Sequence, residues 1–151
     1  MPVTSVKTRW VAGNLQFLDS SGNVVAEVAT TGMGHRRTVN LAAASQALTA
    51  DQTGQKFVGA VDAVFTLPAA DATTKGVWYD FETGALSSGT GLSISPAAAD
   101  HIRGNGLTSV DNKDLINTGA TDRLGDYARI YCDGVDGWVI ESVLGTWAKE
   151  A

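Results

Sequence analysis

Two histidines, one cysteine and sixteen acidic side chains are the residues of this chain that could take part in chemistry. A serine-type hydrolase needs a nucleophile, a histidine base and an orienting carboxylate, which can come together from distant parts of a chain. His35 and His101 stand in polar surroundings, and neither falls in an H-E-x-x-H or G-x-S-x-G pattern. We therefore predict no catalytic residues and no enzymatic activity, and keep a small cell-wall hydrolase as an alternative.

The cysteine and the turn-like loops do not predict a metal or cofactor site. Cys132 stands alone, which excludes an internal disulfide and a cysteine-rich zinc site, and it is expected to be a small buried side chain on a strand. Residues 133–137 lack the twelve-residue pattern of a calcium loop and are interpreted as a hairpin turn. The glycines at 89–91 and 104–106 are not followed by Lys-Ser/Thr, so they predict turns rather than phosphate loops.

Charge is distributed unevenly along the chain. Residues 1–40 hold four basic and two acidic side chains, a net charge of +2, whereas residues 41–151 hold seven basic and fourteen acidic ones, a net charge of −7. Arg36 and Arg37 fall far short of the basic patch that nucleic-acid binding requires, and the sequence pI is about 4.8. We expect the basic segment to meet an acidic protein surface instead, because arginine pairs well with carboxylates.

Neither a signal peptide nor an apolar run of 18 residues is recognisable in the sequence. We expect a soluble protein that is made in a cytoplasm and has no membrane contact.

Residues 1–40 predict an arm with a β-hairpin. Leu15 and Phe17 alternate with polar residues, apolar residues alternate again over 24–28, and the segment 19–23 between them is rich in turn-forming residues. Residues 29–40 resemble a linker to the main body. We therefore divide the chain into an attachment segment, residues 1–40, and a body, residues 41–151.

The body predicts short strands separated by Gly, Asp and Pro turns, which is typical of a β-sandwich or barrel. The fold class is all-β, a β-sandwich or jelly-roll-like domain of short antiparallel strands. Residues 41–48 are alanine-rich and predict either a helical turn or an extended run, and residues 97–106 predict one helical turn. The expected strands are Lys56–Val58, Ala63–Leu67, Gly76–Phe81, Leu92–Ile94, Leu115–Asn117, Asp126–Cys132 and Trp138–Ser142.

Tryptophans and basic residues near the chain ends are the candidate partner-binding groups. Trp78 and Trp138 lie on predicted strands and are expected in the core, whereas Trp10 and Trp147 lie near the termini, where burial within one small domain is harder to guarantee. Aromatic residues and arginine are enriched in interfaces. The predicted partner-binding residues are Lys7, Arg9, Trp10, His35, Arg36, Arg37 and Trp147.

A series of short motifs occurs in order over residues 45–148. They are Leu48-Thr-Ala-Asp51 with Gly54, Phe65-Thr-Leu-Pro68, Gly91-Leu-Ser-Ile-Ser-Pro96, Leu115-Ile-Asn-Thr118, Gly125-Asp-Tyr127, and Gly137-Trp-Val-Ile140 with Gly145-Thr-Trp147. This series resembles the β domain of tailed-bacteriophage virion proteins, above all capsid decoration (cement) proteins and related head or tail fibre modules. The resemblance implies a β-sandwich or jelly-roll-like fold, self-association as a homotrimer and no catalysis.

We therefore expect a structural virion protein that binds the outer capsid surface and bridges capsid subunits. Its expected partner is the major capsid protein, contacted through an acidic or sheet-edge surface by the N-terminal segment. The alternative is a fibre or receptor-binding module that contacts host glycan, with Trp78, Tyr79 and Asp80 facing outward as a platform.

Overall fold

The computed structural model describes residues 7–29, 32–34 and 37–151 of the chain. The chain divides into two compact units, Met1–Thr38 and Val39–Ala151, which we call the N-terminal unit and the C-terminal unit. Strands dominate both, and the described residues contain no α-helix and only one short 3-10 turn, Ala50–Gln52. The predicted all-β class is confirmed. No helix in the described ranges is long and apolar enough to cross a membrane.

The N-terminal unit contains a four-stranded antiparallel sheet in which strands adjacent in sequence are adjacent in space. Its strands are β1 Lys7–Val11, β2 Asn14–Leu18, β3 Val24–Ala29 and β4 Gly32–Gly34. Asp19 closes the turn between β2 and β3, because its carboxylate accepts backbone N–H bonds from Ser21 and Asn23, both at 2.8 Å. The hairpin predicted over residues 14–28 is confirmed.

The C-terminal unit is built from two sheets of short strands. In chain order the strands are β5 Val39–Ala43, β6 Gln46–Ala47, β7 Lys56–Gly59, β8 Val64–Thr66, β9 Trp78–Thr83, β10 Gly91–Ser95, β11 His101–Arg103, β12 Leu115–Thr118, β13 Tyr127–Cys132, β14 Gly137–Leu144 and β15 Trp147–Lys149. One sheet has six strands in the order β11-β14-β13-β9-β7-β5, and the other has five in the order β15-β12-β10-β8-β6.

From β5 to β13, consecutive strands alternate between the two sheets. A strand that returns to its own sheet after a passage through the other one can run in the same direction as before, and neighbouring strands then pair in parallel. This is the pattern of β5, β7 and β9 in one sheet and of β6, β8 and β10 in the other. The prediction of antiparallel strands is wrong for these pairs and for β11 with β14, and it holds for the remaining pairs of the described chain.

The hydrophobic core of the C-terminal unit draws on both sheets. The Phe65 ring, from the five-stranded sheet, lies 5.4 Å from that of Phe57 and 5.3 Å from that of Phe81, both from the six-stranded sheet. Tyr79 and Trp138 stack at 5.6 Å with both residues fully buried. Aromatic pairs of this kind add about 0.5–1.5 kcal/mol beyond the burial of their area. The described residues of this core all come from the C-terminal unit, so the unit has a core of its own.

The seven strands predicted for the body are present with small differences at their ends, and Cys132 is buried as expected. Residues 41–48 contribute to β5 and β6, which is the extended one of their two predicted alternatives. The helical turn predicted within 97–106 is wrong, because β11 lies there and pairs with β14.

Candidate functional site

Strand β1 is exposed along its whole length. All five of its residues are exposed, with Trp10 at 71% and Val11 at 43% of their full accessibility. The strand lies at the edge of its sheet, where it pairs with β2 on one side and with no described strand on the other. An edge of this kind is where an extended segment of a partner can add as a further strand.

The turn from β1 to β2 determines which backbone groups of β1 face outward. Its two residues, Ala12 and Gly13, have φ values of 50° and 83°, as in a type I′ turn. A two-residue loop makes the residues that flank it a hydrogen-bonded pair, and bonded and non-bonded pairs then alternate along the strands. In the register of β1 with β2, Thr8 and Trp10 take the non-bonded positions. Their N–H and C=O groups therefore point away from β2.

Two cationic side chains lie on the opposite face of β1 from Trp10. Lys7 Nζ donates a hydrogen bond to the Ser20 carbonyl oxygen at 3.2 Å, and Arg9 Nε donates to Gln16 Oε1 at 2.7 Å. Both side chains remain exposed. Because side chains alternate along a strand, the two positive charges lie on one face of β1 and the indole ring of Trp10 lies on the other.

The face of the sheet that carries Trp10 is apolar. Among the described side chains of the N-terminal unit only Gln16 is buried, and it belongs to the other face. An apolar sheet face that is partly exposed is typical of a contact surface. The further side chains of this face are Leu15, Phe17, Ala26 and Val28, all half-buried.

The remaining predicted partner-binding residues are placed differently. His35 and Arg36 lie outside the described residues, and Arg37 is exposed. Trp147 on β15 belongs to the core of the C-terminal unit at 7% exposure, and its indole Nε1 donates to the Leu144 carbonyl oxygen at 3.0 Å. Because this ring is enclosed by its own unit, we leave Trp147 out of the proposed contact surface.

His101 is the histidine that the structure describes, and carboxylates surround it. Its Nδ1 lies 3.6 Å from Asp111 Oδ1 and its Nε2 lies 4.0 Å from Asp136 Oδ1. Among the described residues, no hydroxyl or thiol forms a hydrogen bond with its ring.

Asp133 lies near His101 and Asp136, and the ligand atoms of the three lie within 4.8 Å of one another. Asp133 already has other partners: Oδ1 accepts N–H bonds within its own turn, and Oδ2 accepts one from Arg103 Nη2 at 3.2 Å. Burial raises the pKa of Asp133, but these backbone donors and Arg103 outweigh it and leave the pKa below its ordinary value. The guanidinium would repel a cation. We interpret Asp133 as the residue that closes the β13–β14 hairpin, which confirms the turn predicted for 133–137.

The outer face of the six-stranded sheet carries an aromatic and ionic cluster. Arg129 donates to both oxygens of Asp80, at 2.7 and 2.9 Å, and its guanidinium lies 4.9 Å from the centre of the Trp78 ring. The hydrogen bonds with Asp80 raise the pKa of Arg129. Tyr131, cross-strand from Trp78, is 38% exposed. Tyr79 points to the other face and is fully buried, so its predicted outward position is wrong.

A wide concavity of about 880 Å³ lies at the loops formed by residues 120–126 and 144–146. The buried carboxylate of Asp126 borders it, and one oxygen accepts from Arg123 N at 3.0 Å and from Asn117 Nδ2 at 3.1 Å. This carboxylate therefore holds the loops together, and no histidine or cysteine is among the residues that line the concavity.

Sequence reasoning proposed Lys7, Arg9 and Trp10 on this strand and did not single out Thr8, whose outward N–H follows from the register of the hairpin. No family model matches the chain, and no curated protein matches its sequence.

Proposed function

We propose that this protein is a structural virion protein that binds the outer surface of a phage capsid and reinforces the shell by bridging capsid subunits. The observation that carries the proposal is β1, an exposed strand that pairs with no described strand on its outer side and carries Trp10 at 71% exposure. The proposed partner is the major capsid protein, and the proposed location is the capsid surface of the virion.

Charge supports this assignment of roles to the two units. The N-terminal unit spans the basic part of the chain, and the C-terminal unit spans the strongly acidic part. Potentials of opposite sign accelerate encounter and help to select the partner, so a basic attachment unit suits an acidic shell. Because a shell repeats its surface many times, linked copies of the protein would gain avidity from modest single contacts.

The proposal includes a finer architecture and an oligomeric state. We propose that the two sheets of the C-terminal unit pack as a β-sandwich, supported by ring contacts between Phe65 of one sheet and Phe57 and Phe81 of the other. We also propose a homotrimer, in line with the resemblance to decoration proteins. The half-buried apolar face of the N-terminal sheet supports a contact with another chain, because removal of its exposed apolar area from water is favourable.

Co-sedimentation with capsid shells of the phage whose genome encodes the chain tests the proposal. We expect the full chain to bind, and the variant without residues 1–38 to remain folded, as judged by cooperative thermal unfolding, but to stay in the supernatant. Binding of the truncated variant with undiminished affinity would contradict the proposal. Light scattering of the full chain tests the trimer separately.

A fibre or receptor-binding module that contacts host glycan is the second candidate. The neighbouring half-exposed rings of Trp78 and Tyr131 favour it, because aromatic faces pack against sugar rings. Arg129 covers part of Trp78, which leaves a smaller platform than the sequence predicted. Binding to a glycan array that is lost in the variants Trp78→Ala and Tyr131→Ala would favour this candidate. If the unaltered chain binds no glycan on the array, the candidate is ruled out.

A further inference from the structure

We propose that β1 binds its partner by β-strand addition, and that the added segment is an extended acidic stretch of the capsid protein with carboxylates at alternate positions. The inference rests on the proposed function and specifies how attachment takes place. Its first support is the set of outward backbone groups of Thr8 and Trp10, which offer a ladder of hydrogen bonds along the edge of β1 that pairs with no described strand.

Side chains on the two faces of β1 define the chemistry of the added strand. Lys7 and Arg9 are two residues apart and share one face, so they match carboxylates that are also two residues apart on a neighbouring strand. Trp10 lies on the other face, where it would cover an apolar side chain of the same segment. Alternating acidic and apolar residues in the partner satisfy both faces together.

A second copy of β1 is a poor occupant of this edge. If two β1 strands pair antiparallel with Thr8 of one copy opposite Thr8 of the other, Lys7 of each copy faces Arg9 of its partner. If Arg9 lies at the centre instead, the two Arg9 side chains face each other. Like charges directly opposite destabilise a strand pair, and cationic edge residues are a common protection against self-pairing. A pair centred on Trp10 overlaps over three residues only, because the turn at Ala12 ends the strand.

Replacement of Thr8 tests the mode of binding. Thr8→Pro removes an N–H that β2 does not use, and proline is tolerated at a strand edge when its missing donor faces outward. The matched control, Thr8→Val, keeps that N–H and a β-branched side chain. We expect Thr8→Pro to weaken binding to capsid shells at least tenfold and Thr8→Val to bind within twofold of the unaltered chain.

If Thr8→Pro binds as well as Thr8→Val, strand addition is wrong, even when removal of residues 1–38 abolishes binding and the proposed function stands. If the truncated chain binds fully, the proposed function itself fails. Amide exchange in β2 reports whether Thr8→Pro keeps the sheet intact. If Thr8→Pro disrupts the sheet, the double variant Lys7→Glu with Arg9→Glu replaces it as the test. We expect this variant to bind capsid shells at least tenfold more weakly, and unchanged binding would overturn the inference.

Zero-length carbodiimide cross-linking of decorated shells identifies the occupant. It couples an amine to a carboxylate in direct contact, so we expect Lys7 to be joined to an aspartate or glutamate of the capsid protein. Cross-links from Lys7 exclusively to other copies of this chain would overturn the assignment and identify a second copy as the occupant.

Discussion

Trp10→Ala should separate binding from folding more sharply than any other single replacement. The ring is 71% exposed, so it contributes little to the free energy of unfolding of its own unit. Its main loss is the cross-strand contact with Leu15, and such pairs contribute roughly 0.2–1 kcal/mol. We therefore expect the free energy of unfolding to fall by less than about 1 kcal/mol.

The expected effect on binding is larger because a partner would cover the exposed part of the ring. A buried tryptophan covers up to ~250 Å², and the 71% still exposed corresponds to roughly 180 Å². At ~25 cal/mol per Å² this area is equivalent to about 4.5 kcal/mol. Ordering of the side chain costs about 1 kcal/mol. The remaining ~3.5 kcal/mol corresponds to a Kd roughly 300-fold weaker.

Quantitative co-sedimentation with capsid shells measures that ratio, and urea unfolding measures the stability of the same preparations. Leu41→Ala is the matched control, because Leu41 is 75% exposed but lies on β5 of the C-terminal unit. We expect its Kd to stay within twofold. Equal affinities for Trp10→Ala and Leu41→Ala would refute the assignment of the N-terminal edge as the contact.

Two predictions concern the C-terminal unit alone. Gly91→Ala should lower its free energy of unfolding by at least about 3 kcal/mol, because a Cβ there would lie 1.9 Å from the Asn117 carbonyl oxygen at a φ of 105°. Gly76→Ala, at a φ of 79° with nothing within 4 Å, should cost only about 1 kcal/mol in urea unfolding, and equal losses would contradict this account. Hydrogen bonds, chiefly from Ser87, lower the pKa of Asp62 from 3.8 to about 2. Its ionised form therefore stabilises the fold above pH 3.8, and this contribution is lost as the pH falls towards 2. Asp62→Asn should flatten the stability profile in that window, and an unchanged profile would disprove the role of this carboxylate.

Local pattern was sufficient for most strands and for the burial of Trp138, whereas Trp78, also expected in the core, is only half-buried. The alternation at Leu15 and Phe17 and the turn chemistry of residues 19–23 predict the first hairpin, because both signals lie within a few residues of each other. Strands such as Trp138–Ser142 were recognisable because apolar runs between Gly and Asp turns have few other structures available. The burial of Cys132 followed from its place in such a run.

Pairing partners and strand directions were not accessible from the sequence. β11 is a three-residue strand whose hydrogen bonds come from β14, more than thirty residues later, so local propensity favoured a helical turn there. The parallel pairs of β5 with β7 and β7 with β9 arise from alternation between sheets, which leaves no local signal. The same limit applies to the site: Trp10 was identifiable by type, whereas the outward backbone of Thr8 depends on register.

Electron cryomicroscopy of shells incubated with the full chain tests the central claim most directly. We predict density for the protein on the outer surface of the shell, with the four-stranded N-terminal sheet in contact with capsid subunits and the C-terminal unit projecting outward. Density that places the C-terminal unit against the shell and leaves β1 in solvent would contradict the account, as would the absence of any density on the shell.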